Sequence, residues 1–575
     1  MKLLGNGWCL MTDDGGYLGS LVYRRGFVLK PAEMNAYDGS EAARVLPCWN
    51  SSRFGRHELL IEPDVHIALH QGDECTIGLI GTAVDPFSGV GSLSAIARSL
   101  AGLTAGPQVL DGIDRLTGRF VIIEHRNDCL RVYHDAAGMR SVFYATRDGE
   151  SVIASHPQLV ADVLGSKPDS RALTLHQKMR GLGLHSRMPG AKSPIQGVRF
   201  LTPNTSIDAL TGDVRRYWPR KPRIESNDVA GAARQTCELV SEAIRLAGQA
   251  APLGISLTAG IDSRTTLACA RQSRASMIAF THVDTQLTHN VHEMDVAVAS
   301  DIAERIGMEH RVIEVGPAPT GCKEWRAFER DALHNLAMPI DDNLQTTWRY
   351  SSVWPEGRLH MPSSISAVSK RVYAKWTKQL LIVSPESLAR VWSPRLADDD
   401  YVVSAFEEFI DLTAFDDVEG HGYDPLDCLH WEQKHGAWGL RSTIRSMVFE
   451  EFCPFNNRRV IELALSLPEE DRENKQLLYG MIDHAWPELM SFPVNPAAYS
   501  GLRTVAGTVR RAGASFGMSR HAYRASISAR ARLVATVQSA RLRRTVSALL
   551  GGPKSPLRAS AKRFADKVHR TGGRL

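Results

Sequence analysis

The chain has 575 residues, 43% apolar and 23% charged, with a formal net charge of +5. That length is too great for one ordinary core, and that balance belongs to globular chains, which sets aside fibrous and largely disordered classes. The charge is uneven: Gly501 to Leu575 holds 17 Lys plus Arg against one acid, Asp566, so this tail carries +16 and the preceding 500 residues −11.

The opening stretch MKLLGNGWCLMTDDGG has no apolar h-region, and no run of about 18 apolar residues occurs, so neither a signal peptide nor a membrane span is expected. The nine cysteines include no CxxC pair. Reduced, mostly buried thiols in a cytoplasmic protein are expected.

Taken in chain order, TGRFVIIEHRNDCLRVYHD reads as two strands around a polar turn, and VFYATRDGESVIAS repeats the pattern with Asp148-Gly149 as its turn. LVADVLG reads as a helix, and RFLTPNTSIDALTGDVRRYWP as a further hairpin with an extended exit. An α+β first domain over residues 1–220 follows. QTCELVSEAIRLAGQ places Leu239, Ala243, Ile244 and Ala247 on one helical face. APLGISL is then a short apolar strand, SLTAGIDS a small-residue loop, and RTTLACARQ the start of a helix. SMIAFTHV reads as a second parallel strand, and HEMDVAVASDIAERIGMEHRVIEV as a helix and a third strand. Such a series builds a doubly wound parallel sheet with ligands at the carboxyl ends of its strands. This second domain spans 221–495, and 496–575 forms the basic tail. In the tail, ISARARLVATVQSARLRRTVSALL has helical spacing of Leu and Val with Arg between. It suits a solvated helix, or one that binds nucleic acid, anionic lipid or an acidic partner.

A strand–loop–helix turn points backbone N–H groups at an anion, and small residues let phosphate approach closely. A carboxylate there, Asp262, would repel phosphate unless it holds a bridging Mg²⁺. A plain βα turn is the alternative. Thr258, Ala259, Gly260, Asp262 and Ser263 resemble the SGGxDS pyrophosphate loop of the asparagine synthetase superfamily. The resemblance extends to YHDAAGMRSVFYA and LTPNTSIDALTGDVRRYWP, which are similar to stretches of class II (Ntn-type) amidotransferase domains. Asp295, Ala299, Ile302, Ala303, Gly307 and His310 fit the helix and strand after the loop. WGLRSTIRSMVFEEFCPFNNRRVIELALSLPEEDRENKQLLYG fits the family's far segment.

The resemblance implies an ATP- and Mg²⁺-dependent ligase acting through an acyl-adenylate. Ser256, Thr258, Ala259, Gly260, Asp262 and Ser263 would hold the phosphates, Asp262 the metal, and the backbone at Phe280 and Thr281 would lie against the adenine. Glu450 would steer or deprotonate the amine, and Lys475 would neutralise transition-state charge. Arg441 matches an Arg of the far segment, Asn457 stands where that segment has Asp, and His310 is expected to pack or cap. Three departures stand out. Lys2 occupies the place of the glutaminase cysteine, Cys9 being interior to the chain, so no glutaminase activity is expected. Ala259 replaces Gly, with a methyl that narrows the cradle and disfavours positive φ. RLHMPSSISAVSKRVYAKW lies where an acidic metal-binding loop is expected, yet it has no acid between His360 and Tyr373; either Asp262 alone serves the metal, since Mg²⁺ often uses one or two carboxylates plus phosphates and water, or Asp341 or Asp342 reaches in. The function implied joins a carboxylate to an amine, as lasso-peptide cyclases and β-lactam synthetases do. Ammonia-dependent asparagine synthesis and a degenerate regulatory or scaffold role are the alternatives.

Overall fold

The computed structural model describes residues 21–72, 74–104, 106–147, 149–285, 291–338, 344–377 and 382–496. Lys2, Cys9, Asp148, Asp341, Asp342 and the basic tail from residue 497 lie outside the described residues.

Period-two apolar patterning builds the first half. Thr117–Arg126 and Cys129–His134 pair antiparallel around Asn127, which takes φ 52°, a conformation Asn tolerates. Phe143–Arg147 pairs with Glu150–Ala154, as the sequence predicts. One six-stranded sheet runs Arg199–Phe200, Phe143–Arg147, Glu150–Ala154, Phe27–Pro31, His57–Ile61, Asn50–Phe54. The other runs Val214–Arg216, Thr205–Asp208, Cys129–His134, Thr117–Arg126, Cys75–Val84, Ile67–Gln71. Phe27, Leu29, Ile61, Val121, Ile123 and Ile153 pack together between the sheets. Helix Pro157–Leu164 covers the first sheet through Leu159 and Val160, and helix Leu93–Ala101 covers the second through Ile96 and Leu100. The layers are therefore helix, sheet, sheet, helix.

Helix Val229–Ala250 opens the second half. Asp228 caps it by accepting from Gly231 N at 2.8 Å, and Ala233, Cys237, Val240, Ala243, Ile244 and Ala247 form its buried stripe. Four parallel strands follow, in the spatial order Glu309–Val315, Met277–Asp284, Leu253–Ser256, Leu359–Met361. The first three are laid down outward in chain order and the fourth joins on the opposite side. Strand order thus reverses between Leu253–Ser256 and Leu359–Met361. In open α/β sheets the loops diverge at such a point and leave a crevice. One face of this sheet carries Phe280, Tyr350, Trp354, His360 and Phe449 as an aromatic group. Gly254 admits it, because a Cβ there would sit 2.6 Å from the Trp354 ring. Among the described residues, no helix is long and apolar enough to cross a membrane, and the described cysteines are free thiols.

The two halves share buried polar bonds. Asn456 donates to Gly118 O at 2.7 Å and to Asp135 Oδ1 at 2.6 Å, and accepts from Ala137 N at 2.9 Å. Leu21 N and Tyr23 N donate to Asp331 and Asn335 of helix Lys323–Leu336, each at 2.8 Å. Arg458 meets Asp114 at 2.8 Å.

Candidate functional site

The first of the diverging loops begins at Ser256, the last residue of its strand. Leu257 N donates to Phe280 O at 2.9 Å, and Thr281 Oγ1 donates to Leu257 O at 2.6 Å. The strand end at Phe280 and Thr281 therefore fixes where the loop starts. The Phe280 ring is buried in the aromatic group. His310 lies 2.9 Å from Thr281 Oγ1 and 3.2 Å from Ser300 Oγ, so it joins this strand end to the next helix.

The loop is closed by its own short side chains. Thr258 N donates to Ser263 Oγ, Thr258 Oγ1 meets the same hydroxyl, and Gly260 N donates to Thr258 Oγ1, each at 3.1 Å. Ala259 N donates to Asp295 Oδ1 at 2.9 Å, so Asp295 holds the loop from the next helix. Ala259 is fully buried and lies outside the left-handed region, so its methyl is accommodated without backbone strain. Beneath the loop, Arg264 donates to Phe492 O and Pro493 O, each at 2.7 Å; burial lowers its guanidinium to about 10. Asn495 N donates to Ala259 O at 3.1 Å.

Helix Ile261–Cys269 follows, with Gly260 as an N-cap that offers no side-chain acceptor. Its first-turn N–H groups have no intrahelical acceptor, and its dipole is positive at this end. Asp262 stands in that turn. The second loop of the crevice, the 3₁₀ segment Ser364–Lys370, lies across from it. Ser366 Oγ donates to Asp262 Oδ1 and Lys370 Nζ to Asp262 Oδ2, each at 2.5 Å. Ser363 Oγ meets Thr266 Oγ1 at 2.6 Å.

This arrangement does not fit Mg²⁺ on Asp262. Both carboxylate oxygens already accept hydrogen bonds, one from an ammonium, and the facing loop brings no second carboxylate. Among the described residues, no group of three or more His, Cys, Asp or Glu is placed to hold a metal ion. The loop that the resemblance implies to be acidic occupies its place in the fold, and it delivers a cation to Asp262.

Glu450, expected to serve the amine, is paired with two arginines. It faces the first half of the chain, where Arg119 Nη1 binds one oxygen at 2.9 Å and Arg140 Nη2 the other at 2.5 Å. Burial would raise its carboxyl, but Arg140, Arg119 and Arg25 outweigh that and hold it at about 2. A carboxylate so held is a poor base at neutral pH. Gly81, at φ 104°, makes room for the clamp: a Cβ there would lie 2.5 Å from Arg140 Nε. Next to it, Glu451 binds His360 at 2.9 Å and Arg445 at 2.7 Å. Asn457 caps helix Arg458–Ser466 and donates to Arg115 O at 2.7 Å, a structural post. The Arg441 side chain lies outside the described residues.

Lys475 is half-buried and takes φ 61° at the start of helix Gln476–Ala485, which packs on Ile261–Cys269. The loop residues from Ser256 to Ser263 are thus assembled as one turn with Asp262 at the crevice, while Glu450 is turned to the domain contact. Ser366, Lys370 and Arg264 escape a motif reading. The one signal for Lys370 was its charge, a base beside Arg371 after a serine-rich stretch where the resemblance implies acids.

No family model matches the chain, and no curated protein matches it. Solved structures give distant likenesses. NMN synthetase from Francisella tularensis shares 16% identity over 26% of this chain and 59% of its own, with a TM-score of 0.18. Glutamine-dependent NAD+ synthetase from Acinetobacter baumannii in complex with ADP shares 14% over 48% of this chain and 60% of its own, with a TM-score of 0.19. Glutamine phosphoribosylpyrophosphate amidotransferase from B. subtilis complexed with ADP and GMP shares 10% over 59% of this chain and 76% of its own, with a TM-score of 0.17. The chain spans about three fifths of the two synthetases, and its likeness runs to synthetases and an amidotransferase.

Proposed function

We propose that the chain is an asparagine synthetase-like, ATP-dependent ligase that joins a carboxylate to an amine and has no glutaminase of its own. The observation that carries this reading is the TAGIDS turn at the point of strand reversal. Its small residues and the first-turn N–H groups of Ile261–Cys269 face the crevice, where polyphosphate is the matching ligand. In this reaction a carboxylate oxygen bonds to the α-phosphorus of ATP and the bond to pyrophosphate breaks. The amine nitrogen then bonds to the acyl carbon, AMP leaves, and the amine proton passes to solvent. Thr258 to Ser263 hold the departing pyrophosphate, the strand end at Phe280 and Thr281 flanks the base, and Lys475 offsets charge on the phosphates. Glu450 orders the domain contact instead of serving the amine. The amine is ammonia or a group on the substrate itself, and a peptide or small metabolite is the carboxylate. The basic tail is a docking segment for an acidic partner, nucleic acid or anionic lipid.

The test is release of AMP and pyrophosphate from ATP by the purified full chain, first with aspartate and ammonia, then with an extract of the source organism. AMP formation that disappears in Lys475→Ala is the expected result. ATP binding without AMP from any mixture would favour the regulatory or scaffold role, and no ATP binding would sink the site.

A further inference from the structure

We infer that Lys370 is the cation of this crevice, so that the chain binds a nucleoside triphosphate without a divalent metal. The inference rests on the nucleotide-binding reading above and adds how the phosphate charge is met. Lys370 Nζ and Ser366 Oγ each lie 2.5 Å from Asp262, on different carboxylate oxygens. The Lys370 side chain is 14% exposed and that of Asp262 33%, so the pair sits at the lip of the crevice and not out in bulk water.

The backbone that carries Lys370 is held on both sides. Ser369 Oγ donates to Ser366 O at 2.7 Å, and Ser363 Oγ meets Thr266 Oγ1 of the loop helix at 2.6 Å. Beyond Lys370 the chain turns through Arg371, at φ 50°, whose guanidinium binds Asp424 at 3.0 Å and also reaches Glu469. Arg472 donates to Val368 O at 3.2 Å from the helical segment just before Lys475. The backbone at Lys370 is therefore fixed, and from it the ammonium reaches Asp262. It carries three N–H donors, so one on Asp262 leaves capacity for phosphate oxygens.

Charge makes the same point. Asp262 with Lys370 is neutral, and the first-turn amides add a partial positive charge, which suits an incoming polyphosphate. A divalent ion on Asp262 would have to displace an ammonium already in contact with it. Asp262 here orients the lysine; it does not ligate a metal.

The experiment titrates ATP calorimetrically into the full chain in excess EDTA and in excess Mg²⁺. Wild type is expected to bind with dissociation constants within about threefold of each other in the two buffers, and Lys370→Ala to lose about tenfold or more in EDTA. Lys370→Arg, which keeps the charge, is expected to remain metal-independent. A second arm reads Mn²⁺ alone by paramagnetic resonance, with no nucleotide present. Wild type should leave Mn²⁺ free, and Lys370→Asp, which sets two carboxylates face to face, should bind it, with circular dichroism verifying its fold. ATP binding by wild type that requires Mg²⁺, or Mn²⁺ binding by wild type as tight as by Lys370→Asp, would overturn the inference. Failure of ATP to bind in either buffer would overturn the nucleotide reading itself, while the Mn²⁺ arm would still judge the role of Lys370 at Asp262.

Discussion

Replacing Glu450 separates two chemistries that its position in the sequence leaves entangled. If Glu450 served the amine, Glu450→Gln would abolish turnover and leave the fold intact. The structure predicts the reverse. Glu450 accepts from Arg119 and Arg140 across the contact between the halves, at 2.9 and 2.5 Å. A carboxyl held at about 2 against an ordinary 4.5 corresponds to about 3 kcal/mol of stabilisation at neutral pH. Loss of one partner from a buried ion pair costs a similar amount, about 3–5 kcal/mol, because the arginines stay behind uncompensated. Urea unfolding at pH 7, followed by tryptophan fluorescence, should therefore place Glu450→Gln about 3 kcal/mol below wild type. The pH dependence supplies a second check. The folded-state value is depressed, so the contribution is fully present above the unfolded value near 4.5 and fades as pH falls toward about 2. The gap between wild type and Glu450→Gln should narrow over that interval. A gap below about 1 kcal/mol at pH 7 would refute the clamp, and a stable, folded variant with no turnover would restore Glu450 to the chemistry.

Three further outcomes are expected. A fragment ending at residue 220 should not unfold cooperatively, because Asn456, Asp331 and Asn335 complete its buried hydrogen bonds; a sharp thermal transition for that fragment would contradict this. Asp295→Ala leaves Ala259 N without its acceptor and should weaken ATP binding about tenfold, with Asp295→Asn close to wild type because it keeps an acceptor oxygen. Arg264→Ala removes the donor that ties residues 489–493 under the loop at a cost of about 3 kcal/mol, and faster cleavage of that stretch by a broad-specificity protease would register it.

Local pattern made much of this architecture legible. Alternation and turn residues located the hairpins at Thr117–His134 and Phe143–Ala154, and of the helical face read in Val229–Ala250, Ala243, Ile244 and Ala247 are buried while Leu239 is half-buried. The loop at Thr258–Ser263 was legible because small residues between an apolar strand and a helix restrict what the turn can be. The arginine partners of Glu450 were not legible, because they lie 331 and 310 residues away and spacing within one segment carries no trace of them. Lys370 was passed over because a motif reading registers a missing acid and overlooks the base that replaces it. Lys475 stands at the start of Gln476–Ala485, whose packing on Ile261–Cys269 is a contact set by tertiary structure.

The arginine clamp on Glu450 has a temporal side. Synthesis proceeds from the amino end at about 5–20 residues per second, so Arg119 and Arg140 wait roughly 15 to 65 seconds for the residue that neutralises them. In that interval Arg119 can donate to Met139 O, and Arg140 to Arg119 O and Arg25 O, but the Glu450 carboxylate that both guanidinium groups clamp is still to come. The clamp therefore closes only after residue 450 has emerged, later than Leu359–Met361, the last strand of the parallel sheet.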